Sequence, residues 1–203
     1  MIALDDFRIF LPKYLSEEST LSLFHELTQF PLNIDARFYS NKYLYPNDIL
    51  QGDGLNGMLL VNLPDTKIGE GKAMTISNSC DLDTSNSGLF ASSICYCPII
   101  NLHKYETMLK NKYPDLSDTR IPLHIQDIRA QRVSQIFFLP SAGELQDDSF
   151  VFFNKICNCD NLSIDRATLN SRKIFTLSNY GFYLFLFKLS IHFTRIRESV
   201  DRT

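Results

Sequence analysis

Apolar residues recur at helical spacing near both ends of the chain and form short separate runs between them. Near the N-terminus the helical spacing extends from Leu21 to Leu27, and Pro31 follows shortly afterwards. Ser16 or Ser19 is the predicted N-cap, because a serine side chain can accept a hydrogen bond from the first helical turn. These signals predict a helix that ends before the proline.

From residue 46 to residue 160 the apolar runs are short and are separated by glycine, proline and polar residues. Turns are predicted at 64–66 and 69–71, and the aromatic segment 37–45 is predicted to be extended. One amphipathic run, 102–112, predicts an inserted helix. Short strands at roughly ten-residue spacing are typical of a small barrel or sandwich. The predicted strands are 58–63, 73–77, 90–100, 132–140 and 149–157.

A long C-terminal helix is predicted over 178–198, with Ser178 or Asn179 as its N-cap. Its large apolar residues recur at helical spacing and define a predicted buried face. That predicted face consists of Phe182, Phe185, Leu186, Leu189 and Phe193.

Together these elements predict an α+β fold in a single domain, 1–203. An N-terminal helix and extension occupy 1–45, and a β core with the helical insertion 102–130 occupies 46–160. The C-terminal helical element spans 161–203.

The composition is that of an ordinary globular protein, with 44% hydrophobic and 21% charged residues, which excludes wholesale disorder. The net charge of −3 excludes a generally basic nucleic-acid binder, but the charge is unevenly distributed. From Arg166 onward there are 7 basic and 2 acidic residues, a local charge of +5. The five cysteines and the lack of a signal-like N-terminus predict reduced thiols and a cytoplasmic protein. No segment is apolar and long enough to predict a membrane span.

The strand-end sequence 77–81 contains the first candidate chemistry. Cys80 could act as a nucleophile or Asp81 as a base, and Ser77 and Ser79 border them. The alternative is a structural turn, since Asn and Asp side chains bond readily to nearby backbone amides. An adjacent carboxylate also raises the pKa of a thiol, which favours the structural interpretation.

Two Cys-x-Cys pairs, at 95/97 and 157/159, suggest a zinc site if their strands are neighbours. The usual zinc knuckle has a longer spacer, so the alternative is four small residues of the core.

The last helix contains a candidate phosphate-binding stripe. Lys188, His192 and Arg195 are spaced i, i+4 and i+7, which places them on one side, predicted to be the exposed edge. His192 could also transfer protons near neutral pH. The alternatives are an ordinary solvated face or pairing with the acidic first half of the chain. Three further candidate RNA-binding cations nearby in sequence are Arg172, Lys173 and Arg197.

Two stretches resemble the start of PemK/MazF-like proteins: Gln-Gly-Asp at 51–53, and the run KAMTISNSCD at 72–81 after a glycine-rich loop. The closing run 177–195 is similar to the end of uncharacterised bacterial proteins that have the same Ser-x-x-Cys-Asp strand end. The PemK/MazF-like similarity covers about residues 48–100. At the position where the family usually has Arg-Pro, this chain has Gly71-Lys72, with Glu70 beside them.

The resemblance implies a small SH3-like β-barrel that forms a homodimer and binds or cleaves mRNA. The setting it implies is a bacterial toxin–antitoxin pair or a CRISPR-type antiviral system. Cleavage would be metal-independent and would need no cofactor, with an acid, a base and a cation at the phosphate. The catalytic candidates on this interpretation are Glu70, Lys72, His192 and Arg195.

Two functions therefore remain open. The chain is either an RNA-binding protein, acting on free or ribosome-bound mRNA as an endoribonuclease, or a non-catalytic module that binds a protein such as an antitoxin or a regulator. The missing Arg-Pro favours the second function, and the aromatic segment 37–45 could then supply the binding surface.

Overall fold

The computed structural model describes residues 16–41, 46–86 and 92–194, and it confirms the predicted α+β class. Within those ranges none of the helices combines the length and the apolar character that a membrane span requires. The helices are α1 (Glu17–Thr28), α2 (Ser79–Leu82), α3 (Leu102–Lys112), α4 (Arg120–Arg129), α5 (Leu169–Arg172) and α6 (Asn179–Thr194). The strands are β1 (Gly54–Asn62), β2 (Asp65–Thr75), β3 (Ser93–Asn101), β4 (Ile136–Leu139), β5 (Ser149–Phe152), β6 (Cys157–Asp160) and β7 (Lys173–Phe175).

The sheet is open and its pairings are antiparallel, in the order β4-β5-β3-β2-β1-β7, with β6 also paired to β3. Strand β3 is central, because it pairs with β2 through residues 96–98 and with β6 through residues 93–96. Strands β1 and β2 form a long hairpin whose far end extends beyond the pairing with β3. The first candidate catalytic residues, Glu70 and Lys72, lie in this hairpin.

Three apolar clusters hold the elements together. The largest lies between the sheet and helices α1 and α6, and Phe38 and Phe185 are completely buried in it. The second lies under the hairpin and contains Met58 and Tyr96. The third packs α3 and α4 against β4 and β5, with Phe150 buried among them.

The first two predicted helices are confirmed, because local sequence determines both ends of each. The Ser16 side chain accepts from the backbone N–H of Ser19 at 3.1 Å and caps α1. In α3 the Asn101 side chain accepts from the N–H of Lys104 at 2.9 Å. Pro114 follows the end of α3, where a proline cannot continue the helix.

Helix α6 is present, but its predicted buried face is wrong in part. Phe193 is 60% exposed, whereas Lys188 is only 5% exposed. Gly181 determines this orientation, since a Cβ at that position would overlap the carbonyl oxygen of Phe38. The helix therefore approaches the backbone of the turn at Ala36–Phe38 through its glycine, which turns Lys188 inward.

Other differences lie in elements with weak local signals. The turn predicted at 69–71 is wrong, because β2 continues through both glycines. The segment 37–45 is not uniformly extended, since a 3-10 turn occupies Ala36–Phe38; residues 42–45 lie outside the described part of the chain. Helix α4 lies inside the predicted helical insertion 102–130, although no second helix was predicted there, whereas the short strands β6 and β7 were not predicted.

Candidate functional site

The outer face of the β1–β2 hairpin brings two predicted site residues together with exposed apolar side chains. Leu59 lies opposite Glu70 in the strand register, and Val61 lies opposite Ile68. Because side chains alternate along a strand and opposite partners share a face, these four point to the same side. Lys72, two residues after Glu70, is exposed on that side as well.

The apolar residues of this face are unusually exposed for their size. Leu59 is 51% exposed, Val61 39% and Ile68 66%. Leu63, at the tip of the hairpin, is 78% exposed. Neighbouring apolar side chains exposed to this degree mark an interaction surface more often than single scattered ones do. We refer to Leu59, Val61, Leu63, Ile68, Glu70 and Lys72 as the hairpin face.

Side chains of β3, β6 and the loop before β6 form hydrogen bonds with β1 and so hold the hairpin in place. The Tyr96 hydroxyl donates to the carbonyl oxygen of Leu59 at 2.6 Å. The thiol of Cys157 lies 3.5 Å from the carbonyl oxygen of Val61, and Lys155 Nζ donates to the side chain of Asn62 at 2.8 Å. The bonds from Tyr96 and Cys157 satisfy backbone carbonyls of β1, and the bond from Lys155 holds a side chain at its end. The hairpin face is therefore presented on an anchored strand.

Arg172 contacts the β1 backbone. Its guanidinium donates to the carbonyl oxygens of Asn56 at 3.0 Å and of Gly57 at 2.8 Å. The register of β1 shifts at this point, and Gly57 has a φ of 68°, so Arg172 bonds to the carbonyls of a bulge. Its contacts are those of a structural residue.

Lys173 is buried, and it is not a surface cation. Its Nζ lies 3.1 Å from the carboxylate of Asp53, and both side chains are almost completely inaccessible. Asp53 also accepts from the backbone N–H of Leu50 at 2.9 Å. Burial raises the pKa of Asp53, and the ammonium group of Lys173 opposes that shift. The pair joins the loop before β1 to β7, which gives the Gln-Gly-Asp sequence a structural role that sequence reasoning missed.

Lys188 is also buried, so the prediction that it belongs to an exposed stripe is wrong. Its Nζ donates to the carbonyl oxygens of Gln131 at 2.8 Å and Val133 at 2.7 Å, just beyond the end of α4. Burial lowers the pKa of this amine to about 7. The side chain therefore binds backbone carbonyls of the loop after α4 and does not lie on an exposed edge of the helix.

His192 is the other residue of the predicted stripe that the structure describes. The ring of His192 is half-buried, with its centroid 5.6 Å from that of Phe153. His192 lies on α6, whereas Glu70 and Lys72 lie on the hairpin. Arg195 and Arg197 lie outside the described residues.

The strand-end sequence 77–81 forms a turn that is hydrogen-bonded to two other parts of the chain. The Ser77 hydroxyl accepts from the backbone N–H of Cys95 at 2.8 Å, and the Ser79 hydroxyl accepts from that of Gln51 at 2.9 Å. Cys80 and Asp81 are exposed on α2, whose N-cap is the Asn78 side chain. The serines thus connect this turn to β3 and to the loop before β1.

The four cysteines of the Cys-x-Cys pairs do lie on neighbouring strands, β3 and β6. Their register places Cys157 opposite Tyr96 and Cys159 opposite Ile94, so Cys95 points to the other face of the sheet. In the described ranges, no three metal-binding side chains cluster closely enough to hold a metal ion.

Part of the hairpin face has a signal in the sequence. Ile68, Glu70 and Lys72 alternate with two glycines, which is compatible with a paired strand, whereas the apolar run 58–61 does not show which side of β1 is exposed. The two glycines of 69–71 suggested a turn instead.

Comparisons with known proteins add no family to this description. No protein-family model matches the sequence, and no curated protein matches it significantly.

Proposed function

We propose that this chain is a protein-interaction module whose hairpin face binds an extended segment of a partner protein. The observation that supports this proposal is the exposure of Leu59, Val61, Leu63 and Ile68 together on one anchored hairpin. Burial of such side chains against a partner releases roughly 25 cal/mol per Å² of apolar surface removed from water.

The free edge of β2 favours an extended segment over a helix. Among the described residues, β2 pairs on that side with β3 only through residues 73–75. Over 66–72 the outward N–H and C=O groups of β2 are therefore available to a further strand. A strand added to an exposed edge gains main-chain hydrogen bonds, and alternate side chains then determine specificity.

The charged residues of β2 indicate which side chains a partner strand should carry. Glu70 and Lys72 lie on the same side of β2 as Ile68. A complementary strand would place an apolar residue beside Ile68 and residues of opposite charge beside Glu70 and Lys72. The bonds from Tyr96 and Lys155 hold the hairpin before binding, which reduces the ordering that association requires.

Substitution of one exposed apolar residue tests this proposal. We expect Ile68→Asp to abolish co-purification of the partner while the far-ultraviolet circular dichroism spectrum stays unchanged. Leu123→Asp is the matched control, because Leu123 is 61% exposed on α4 and Ile68 is 66% exposed. Equal retention of the partner by both variants would count against the hairpin face.

RNA binding and cleavage by a PemK/MazF-like domain is a second candidate function. The observation that favours it is the position of Glu70 and Lys72, exposed two residues apart on one strand. In that arrangement Glu70 could accept the 2′-hydroxyl proton while Lys72 binds the phosphate. The open sheet would then correspond to the family's SH3-like barrel, and His192 or Arg195 would supply the acid.

Expression and cleavage assays separate the two candidates. For the nuclease we expect growth arrest on expression and RNA cleavage by the purified chain, with ribosomes supplied if needed. Glu70→Gln and Lys72→Met should then remove cleavage, while Lys104→Met, an exposed substitution on α3, should not. Harmless expression and intact RNA would exclude this candidate without bearing on the partner.

A further inference from the structure

A cavity of about 280 Å³ lies between the end of α1, the loop after α4 and the outer part of α6. Its volume corresponds to about nine water-sized groups, at roughly 30 Å³ for each. Three of its apolar residues are partly open to solvent: Phe187 is 50% exposed, Ile191 39% and Phe30 37%. The apolar lining consists of Leu27, Phe30, Leu184, Phe187 and Ile191.

Two cationic side chains line the same cavity, Lys188 and Arg132. A protonated lysine has three N–H donors, and Lys188 uses two of them for the carbonyls of Gln131 and Val133. Among the described residues, no carboxylate contacts Nζ of Lys188. Two of the three donors of the protonated amine are thus used, and the side chain also lines an apolar cavity, where an unsatisfied charge is costly.

Arg132 supplies a second positive group at the rim. Its guanidinium lies 3.2 Å from the carboxylate of Asp127, and its side chain is 64% exposed. An anion bound between Lys188 and Arg132 would receive charge-assisted hydrogen bonds, which are roughly twice as strong as neutral ones.

We propose that this cavity binds a small apolar monocarboxylate, such as an aliphatic acid of about six to eight carbons. The carboxylate accepts from the third N–H of Lys188 and from Arg132, while the hydrocarbon chain lies against the apolar lining. The charge of the ligand complements the one buried cation of the cavity, and its chain replaces water on surface that is already apolar. This site is independent of the hairpin face.

Binding should depend on pH, because only the protonated amine has a third donor. With a pKa of about 7, Lys188 is about 90% protonated at pH 6 and about 1% protonated at pH 9. The part of the affinity that Lys188 supplies should therefore fall, by at most about 90-fold, between these values, while Arg132 keeps its charge. Burial is the cause of the lowered pKa. The charged or titratable groups on the neighbouring ends of α1, α4 and α6 and in the loop after α4 include His25, Glu26, Asp127, Arg129, Arg132 and His192.

Titration of the whole chain with octanoate, followed by NMR of the methyl groups of Leu27, Leu184 and Ile191, tests the proposal. Octan-1-ol is the matched neutral probe, and both are kept below the concentration at which they aggregate. At pH 6 we expect saturable shifts with octanoate, at least tenfold weaker binding of octan-1-ol, and the loss of affinity described above at pH 9.

Two variants keep the test decisive. Lys188→Met should bind octanoate more weakly and keep only that part of the preference over octan-1-ol which Arg132 supplies, and Ile191→Trp, at a partly exposed position of the lining, should weaken binding of both. Equal affinity of the two probes for the unmodified chain would overturn the proposal, as would absence of saturable shifts. Tighter binding of a tripeptide with an apolar C-terminal residue than of octanoate would also overturn it, since the ligand would then be a peptide.

Discussion

Because Lys188 is buried and its pKa is lowered, we expect the free energy of unfolding to depend on pH. Lys188→Met removes the donor for two carbonyl oxygens, those of Gln131 and Val133. An unsatisfied buried acceptor costs about 1–3 kcal/mol, so with two of them the variant should lose roughly 2–6 kcal/mol of unfolding free energy at pH 9.5, where the native amine is neutral.

The pH dependence follows from the difference between the two pKa values of this amine. It is about 7 in the folded chain and about 10.4 in the unfolded chain. The pKa of Lys188 is lower in the folded chain than in the unfolded chain. The stabilisation that the neutral, hydrogen-bonded amine gives the fold is therefore fully present above the unfolded pKa and is lost as the pH falls towards the folded pKa. The unfolding free energy therefore rises by about 1.4 kcal/mol per pH unit within this window, or about 2.5 kcal/mol from pH 7.5 to 9.5.

Urea unfolding of the unmodified chain and of Lys188→Met, at pH 5.5, 7.5 and 9.5, measures this effect. Other titrating groups are shared, so they cancel in the difference between the two proteins. We expect that difference to change by about 2.5 kcal/mol between the two higher pH values and to level off below about pH 6. Lys104→Met, which removes an exposed lysine, should show no such change. A difference independent of pH would refute a buried, easily deprotonated amine at this position.

Two further predictions concern packing and the buried ion pair. Gly181→Ala should lower the unfolding free energy by about 1–3 kcal/mol, because its Cβ would overlap a backbone carbonyl, whereas Gly69→Ala, with open space around it, should be nearly neutral in thermal melts. Asp53→Asn should cost about 3–5 kcal/mol, because it leaves the ammonium group of Lys173 buried without its counter-ion. Asp35→Asn breaks a solvent-exposed pair and should cost less than about 1 kcal/mol, and equal losses for the two substitutions would contradict the burial.

The helices that the sequence predicted well have capping residues and prolines within a few residues of their ends. A serine cap and a following proline bound the first helix, and Asn101 and Pro114 do the same for α3. Only the end of strand β2 was predicted, because Gly69 and Gly71 are typical of turns, although pairing with β1 keeps them extended. Strands β6 and β7 are short and depend on partners distant in sequence, so no local pattern predicts them.

The orientation of α6 shows why the candidate site was only partly predictable. Large apolar residues occur on several sides of this helix, so the spacing of Lys188 and His192 could not show which side is buried. The contact between Gly181 and the backbone of Phe38, far away in sequence, determines it. Lys173 likewise resembled a surface cation until β7 placed it beside Asp53.

Photo-crosslinking from Ile68 in living cells tests the proposed role of the hairpin face most directly. A photoreactive residue at Ile68 should crosslink to one partner protein, and the same residue at Leu123, which is similarly exposed, should not. The partner, purified separately, should then bind the unmodified chain and not Ile68→Asp. Crosslinks from Ile68 to RNA, or the same protein pattern from both positions, would contradict a protein-binding hairpin.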